Sequence, residues 1–376
     1  MARVLFVCPV VPAPDRNGLA MRAGVSVAGL HRHHDVTVVM VGPPPDVAAQ
    51  GWVRQHARRV VEVPVDTSRG GAMSWLRSDP GRRVAGSALP SLVRLRPPSV
   101  GQRLIDDVGT EFDVVVVMGT YVAGAVLPLL EGGLPGILDA FDDDARTCAS
   151  QSILDRSYAD EVPRYEAFQR EVFTWFEEVL FASVEDARPP YLHLPNAVSI
   201  PPVWSLRRVS DRLDLLFVGN PSYLPNRDAL LRLRQRIVPL IEERGTEVRL
   251  LHPLPHDDVE GFYELAQVVA VPLRAAGGSR IKLLEAFAHG CPVVSTPTGA
   301  RGLNVSDDEE LIITSDDEDD DEFASRIVEL AYDNARRAHV ATTARAFVSA
   351  HHDSRQVGDL LASFVEELVR RRQLPD

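Results

Sequence analysis

Gly278-Ser279-Arg280-Ile281-Lys282-Leu283-Leu284-Glu285-Ala286-Phe287-Ala288-His289-Gly290-Cys291-Pro292-Val293-Val294-Ser295-Thr296 opens on glycine and serine, carries a helical pattern over 279–289, and closes on a strand-like run at 292–295. The apolar run 267–271 precedes it across the loop Pro272-Leu273-Arg274-Ala275-Ala276-Gly277. Strand, glycine-bearing loop, helix and second strand, in that order, form the repeating unit of a parallel sheet covered by helices. The stretch predicts an α/β domain, and the same reading extends outward in both directions.

The loop-to-helix junction also predicts chemistry. Glycines let backbone approach a ligand closely, Ser279 suits the helix cap, and the exposed N–H groups of the first turn form an anion site. Arg280 and Lys282 fall in that turn, where cations oppose the helix dipole unless an anion sits among them. A conflict of this kind marks a functional site, and two surface charges on an exposed face are the plainer alternative. Among the 40 Lys+Arg residues, Lys282 is the only lysine. In an arginine-biased sequence, that points to a position needing a compact charge rather than a planar fork, with chance survival of one lysine as the plainer alternative. Glu285 is either an intrahelical ion-pair partner of Lys282 or an acceptor for the hydroxyls of a ribose.

Around this stretch, 213–218, 247–251, 267–271, 292–295 and 310–313 read as strands, with helices near 227–243, 279–289 and 322–334. Periodicity fails over 189–212, where Pro189, Pro190, Pro195, Pro201 and Pro202 accumulate, which suits an exposed connection. Upstream, 3–8, 35–41, 60–65, 113–118, 136–140 and 179–182 read as buried strands, and 19–31, 100–109, 122–130 and 158–177 as helices. The expected organisation is two Rossmann-like, doubly wound domains, 1–195 and 196–352, facing across a cleft. An amphipathic helix over 353–376 is expected to cross back to the first. Ligands of such sheets bind at the carboxyl ends of the strands.

The length of 376 residues suits two domains, and 45% apolar with 25% charged residues describes a globular chain that folds. A net charge of −13 disfavours a nucleic-acid partner, which needs a concentrated basic surface. Cys8, Cys148 and Cys291 form neither a disulfide framework nor a thiolate metal site. No stretch reaches the ~20 apolar residues of a membrane span. Met1-Ala2-Arg3 leads straight into a strand without a cleavage pattern, so a cytoplasmic location is expected. Arg370-Arg371-Arg372 leaves membrane contact at most peripheral, at the inner face. The acidic run 316–322 reads as a solvated loop entering a helix rather than a metal site.

The 278–296 stretch resembles the donor-site signature of glycosyltransferase family 4, the group 1 transferases. Leu216-Phe217-Val218-Gly219 followed by Pro225-Asn226 is similar to the opening of that family's second domain, and Leu194-Pro195-Asn196-Ala197-Val198 to its interdomain strand. The run 4–10, the loop through Asn17-Gly18, and His34-Asp35-Val36-Thr37-Val38-Val39 resemble its first domain. The resemblance implies an α/β GT-B fold and transfer of a sugar from a nucleotide-diphosphate donor, with retention and without a metal or other cofactor. It implies catalytic roles for Arg280 and Lys282, which neutralise the leaving diphosphate, and for Glu285, which holds the ribose. Donor binding falls to Gly18, Gly219, Asn226, Gly277, Gly278, Ser279, Ile281 and Leu284. Many members carry a second Glu, contacting donor-sugar hydroxyls, where this chain has Gly277, and the segment 251–262 is short.

The acceptor, whether a small molecule, a lipid-linked species or a glycan, is not legible. Loops over 68–99 are expected to choose it, with Asp142 and Asp144 as candidate contacts. Asp142-Asp143-Asp144 has the Asp-x-Asp spacing of a metal-binding motif, and a simple lead into a helix is the plainer reading. His252 and His256 are separated by prolines, which argues against a helical metal pair. The alternative from another class is a non-catalytic nucleotide-sugar or sugar-binding protein on the same fold. Glycine at 277 supports it, and Arg280, Lys282 and Glu285 argue against it. An epimerase would need a pair of acid/base carboxylates facing the sugar, and the sequence shows no clear pair.

Overall fold

Runs dominated by valine, isoleucine and leucine become buried strands here, because β-branched side chains pack well on a pleat covered on both faces. The computed structural model describes residues 1–42, 47–63, 90, 101–206, 212–254, 259–277 and 280–373. Within them the chain divides into two compact units: Met1–Cys148 with Ser157–Asn196 and Ser354–Asp376, and Ala149–Arg156 with Ala197–Asp353.

The first unit is built on a parallel seven-stranded sheet ordered β3-β2-β1-β4-β5-β6-β7. Its strands are β1 (Arg3–Cys8), β2 (Asp35–Val41), β3 (Arg59–Val63), β4 (Val114–Met118), β5 (Gly136–Phe141), β6 (Glu178–Phe181) and β7 (Leu192–His193). Six match the sequence reading, and the two-residue β7 is too short to show a period. Helix Gly18–His33 begins at Asn17, whose side chain accepts from Ala20 N at 3.1 Å. Over 122–130, where one helix is expected, a 3-10 turn (Thr120–Ala125) precedes a short helix (Leu127–Glu131), since Pro128 suits a first turn and not an interior.

A buried arginine ties this unit together. Arg22 donates through Nε and Nη2 to both oxygens of Asp139 at 2.8 and 2.7 Å. It also donates to Asn196 Oδ1 (2.8 Å), Leu194 O (3.0 Å) and Pro195 O (3.3 Å). The five N–H groups a guanidinium offers are all used, on residues 117 to 174 positions away.

Helix Ser354–Gln373 belongs to the first unit and lies on helix Gly18–His33. Glycine meets glycine at the crossing, where a Cβ on Gly358 would come within 2.9 Å of the Gly29 Cα. Arg32 Nε donates to Asp359 at 3.0 Å beside it. The three arginines near the end of this helix face carboxylates: Arg370 meets Glu367, Arg371 meets Glu178 and Arg372 meets Glu177. Among the described residues, no helix is long and apolar enough to cross a membrane.

The second unit carries a parallel five-stranded sheet ordered β12-β11-β10-β8-β9. Its strands are β8 (Leu213–Leu216), β9 (Val248–Leu251), β10 (Val268–Val271), β11 (Val293–Ser295) and β12 (Ile312–Ile313). The helix expected over 227–243 runs from Leu224–Arg232 through a π turn at Leu233–Ile237 into Val238–Glu243. Helix Asn334–His351, absent from the sequence reading, follows helix Asp320–Tyr332, which Asp319 caps. The acidic run enters that helix as expected but is not merely solvated: Asp320 meets Arg232 and Arg236, Asp321 meets Arg244, and Glu318 meets Arg274.

Candidate active site

In the second sheet the chain steps outward from β8 to β9, then returns to place β10 on the other side of β8. At such a reversal the loops leaving the two central strands diverge, opening a crevice at their carboxyl ends. The loop after β8 begins with Phe217 and leads to helix Leu224–Arg232, and the loop after β10 leads to helix Ile281–Ala288.

Lys282 and Glu285 stand on helix Ile281–Ala288 at this edge, both half-buried. Lys282 Nζ donates to Asn226 Oδ1 at 2.6 Å and lies 5.0 Å above the centre of the fully buried Phe217 ring. Gly219 makes room for this partner, because a Cβ there would come within 2.7 Å of the Asn226 Cγ. The Asn226 amide nitrogen donates to Asn220 O at 3.1 Å, which turns its oxygen toward the lysine. Burial, with Arg280 adding to it, lowers the Lys282 ammonium to about 7. Burial raises the Glu285 carboxyl to about 7, against the opposing pull of the Tyr263 hydroxyl and Lys282. The intrahelical ion pair does not form, since Lys282 turns to Asn226 and Glu285 to Tyr263.

The helix opens without a side-chain cap: Arg280 holds the N-cap position and supplies no acceptor. An N-terminus without such a cap suits an anion. Arg280 itself precedes the helix rather than lying in its first turn. It is 8% exposed, and its Nη2 donates to Thr298 O at 3.3 Å, a residue clamped by Asp317. Ile281 and Leu284, expected to bind the donor, turn into the core at 5% and 0% exposure, and Leu284 N is committed to Arg280 O. Their side chains are the apolar stripe that seats the helix. Gly278 and Ser279 lie outside the described residues, as do His256 and, apart from Pro90, the segment 68–99. Gly277 meets the Tyr223 hydroxyl, 3.3 Å from its N and 3.4 Å from its O. His252 Nδ1 lies 3.1 Å from Phe217 O.

The remaining candidates belong to the first unit. Gly18 opens helix Gly18–His33 behind its Asn17 cap, a structural explanation for the glycine loop. Asp142-Asp143-Asp144 leads into helix Asp144–Gln151, with Asp143 accepting from Arg146 N at 3.0 Å. Asp144 takes the Thr120 hydroxyl at 2.6 Å, and burial raises its carboxyl to about 7. β5 ends in Phe141 at φ 50°, where its register with β6 shifts. Among the described residues, no group of three or more His, Cys, Asp or Glu side chains is placed to hold a metal. The sequence reading missed Tyr263 and Tyr223, which look like ordinary apolar-face and turn aromatics.

The two parallel α/β units are those of the GT-B glycosyltransferase fold. Sucrose-phosphate synthase from Thermosynechococcus elongatus matches with a TM-score of 0.66 at 12% identity, covering 98% of this chain and 100% of that one. Anabaena Alr3699/HepE, in complex with UDP and glucose, matches with a TM-score of 0.62 at 14% identity over 98% of this chain and 100% of that one. CalG4, the calicheamicin glycosyltransferase, matches at 0.52 and 15% identity over 99% of each chain. Residues 200–333, within the second unit, match the family model described as Glycosyl transferases group 1. No curated protein matches by sequence.

Proposed function

We propose that this protein transfers a sugar from a nucleotide-diphosphate donor to an acceptor hydroxyl, with retention and without a metal, binding the donor nucleotide in its second unit. The observation that carries this reading is the half-buried Lys282 ammonium near a helix N-terminus without a side-chain cap, its hydrogen bond among the described residues going to a neutral side chain, Asn226. A diphosphate answers both the cation and the helix end. Glu285 accepts from the ribose hydroxyls. The acceptor oxygen bonds to the anomeric carbon on the face from which the diphosphate departs, and its proton passes to a departing phosphate oxygen. Lys282 and the first-turn N–H groups stabilise the charge that develops there. Arg280, held on Thr298, acts by adding positive potential behind Lys282.

Glycine at 277, with the Tyr223 hydroxyl at its backbone, favours the second reading, a binding protein that does not turn over. Calorimetric titration with UDP, GDP, dTDP and ADP in the absence of metal tests the site, with UDP first because the Anabaena protein carries it. Saturable binding of one nucleotide that Lys282→Ala weakens supports the donor site, and binding by none sinks it. Hydrolysis or transfer from the corresponding nucleotide sugar then separates enzyme from binder.

A further inference from the structure

Tyr263 lies on helix Val259–Leu265 and is 2% exposed, so its phenol hydroxyl must find partners inside the protein. It stands 3.4 Å from Glu285 Oε2 and 3.4 Å from the Lys282 carbonyl, contacts on the helix that carries both site charges. The residue is held at its ring and at its backbone. It stacks on His289 with centroids 4.8 Å apart and planes 9° from parallel, and its backbone carbonyl accepts from Cys291 Sγ at 3.2 Å. A phenylalanine would fill the same space, so packing alone does not call for a hydroxyl aimed at a carboxylate of the site.

We propose that Tyr263 is a positioning residue for nucleotide recognition: its hydroxyl holds Glu285 Oε2 and so presents the other carboxylate oxygen to the ribose. This rests on the reading of Glu285 as the ribose acceptor. A glutamate side chain loses rotamer freedom when a ligand fixes it, and a donor that fixes it beforehand removes that cost from binding. The effect is confined to the part of the ligand that Glu285 touches.

The test compares wild type with Tyr263→Phe by calorimetry, using whichever of UDP, GDP and ADP the wild type binds, beside its 2′,3′-dideoxy counterpart. The expected result is that Tyr263→Phe loses about threefold to tenfold in affinity for the ribonucleotide and keeps wild-type affinity for the dideoxy compound, as removing one hydrogen bond predicts. The variant's ribonucleotide affinity also falls off at a higher pH than the wild type's, because the hydroxyl favours the ionised carboxylate. Equal losses for both ligands would reduce Tyr263 to a packing residue, and no loss for either would overturn the proposal outright. A wild type that does not discriminate between the two ligands, or binds no nucleotide, removes the Glu285 reading and this inference with it. Full discrimination retained by Tyr263→Phe removes the inference alone.

Discussion

Each unit buries opposite charges, and the two sites are built on opposite terms. In the first unit, Arg22 and Asp139 make a two-point ion pair, 4% and 1% exposed, and every remaining guanidinium N–H has an acceptor. In the second, Lys282 and Glu285 share a helix yet stay apart, and each is drawn to about 7 by burial that its neighbours do not offset. A charge with all its hydrogen bonds made inside the protein has nothing left to offer a ligand. A charge with fewer partners among the described residues keeps hydrogen-bonding capacity that a ligand can use. The contrast separates structure from function more sharply than burial does.

The largest effect that would break this contrast lies in the first unit. Arg22→Met leaves Asp139 buried and unpaired, and should cost about 3–5 kcal/mol in urea unfolding, whereas Arg22→Met with Asp139→Leu should recover most of it. A loss no greater than that of a surface substitution would erase the distinction. Lys282→Ala should weaken nucleotide binding about tenfold to a hundredfold while leaving the melting temperature at or above wild type. Calorimetry beside thermal unfolding checks both halves of that statement.

A smaller effect appears in pH. The Lys282 ammonium loses its proton above about 7 in the empty site and regains it when an anion binds. Above pH 7, binding should therefore take up a proton, visible as heat that varies with the buffer, and affinity should fall by at most about tenfold per pH unit. The smallest effect concerns stability without ligand. Lys282 titrates at about 7 folded against 10.5 unfolded, so the unfolded chain holds more protons between those values and stability from this group grows as pH rises through them. Glu285 titrates at about 7 folded against 4.5 unfolded, so its contribution is present below 4.5 and is lost as pH rises to 7. The two together place a local minimum near pH 7, where Lys282→Met or Glu285→Gln should stabilise by about 1 kcal/mol.

The same contrast explains what was legible in the sequence. Strands such as 113–118 declare themselves through unbroken β-branched runs, and Lys282 stands out as a lone lysine at a helix start. Both are local signals. The Arg22–Asp139 pair spans 117 positions and carries no local mark, since Arg22 reads as one of several polar residues on its helix, beside Ser26, His31 and Arg32. Helix Asn334–His351 escaped because arginines, histidines and alanines are spread around it, with Arg337 itself buried. Arg280 and Leu284 were assigned by position in a motif, and the direction of a side chain is set by packing that a motif does not encode. Tyr263 reads as core, and only its hydroxyl's neighbours say otherwise.

The glycine crossing of helices Gly18–His33 and Ser354–Gln373 also orders events in time. Residues 354–373 leave the ribosome after the whole of 197–353, so the first unit must wait for its covering helix through the synthesis of the second. At ~5–20 residues per second that interval is roughly 10–30 s. Throughout it the flank around Gly29 is without its covering helix. The unit that starts first is finished last.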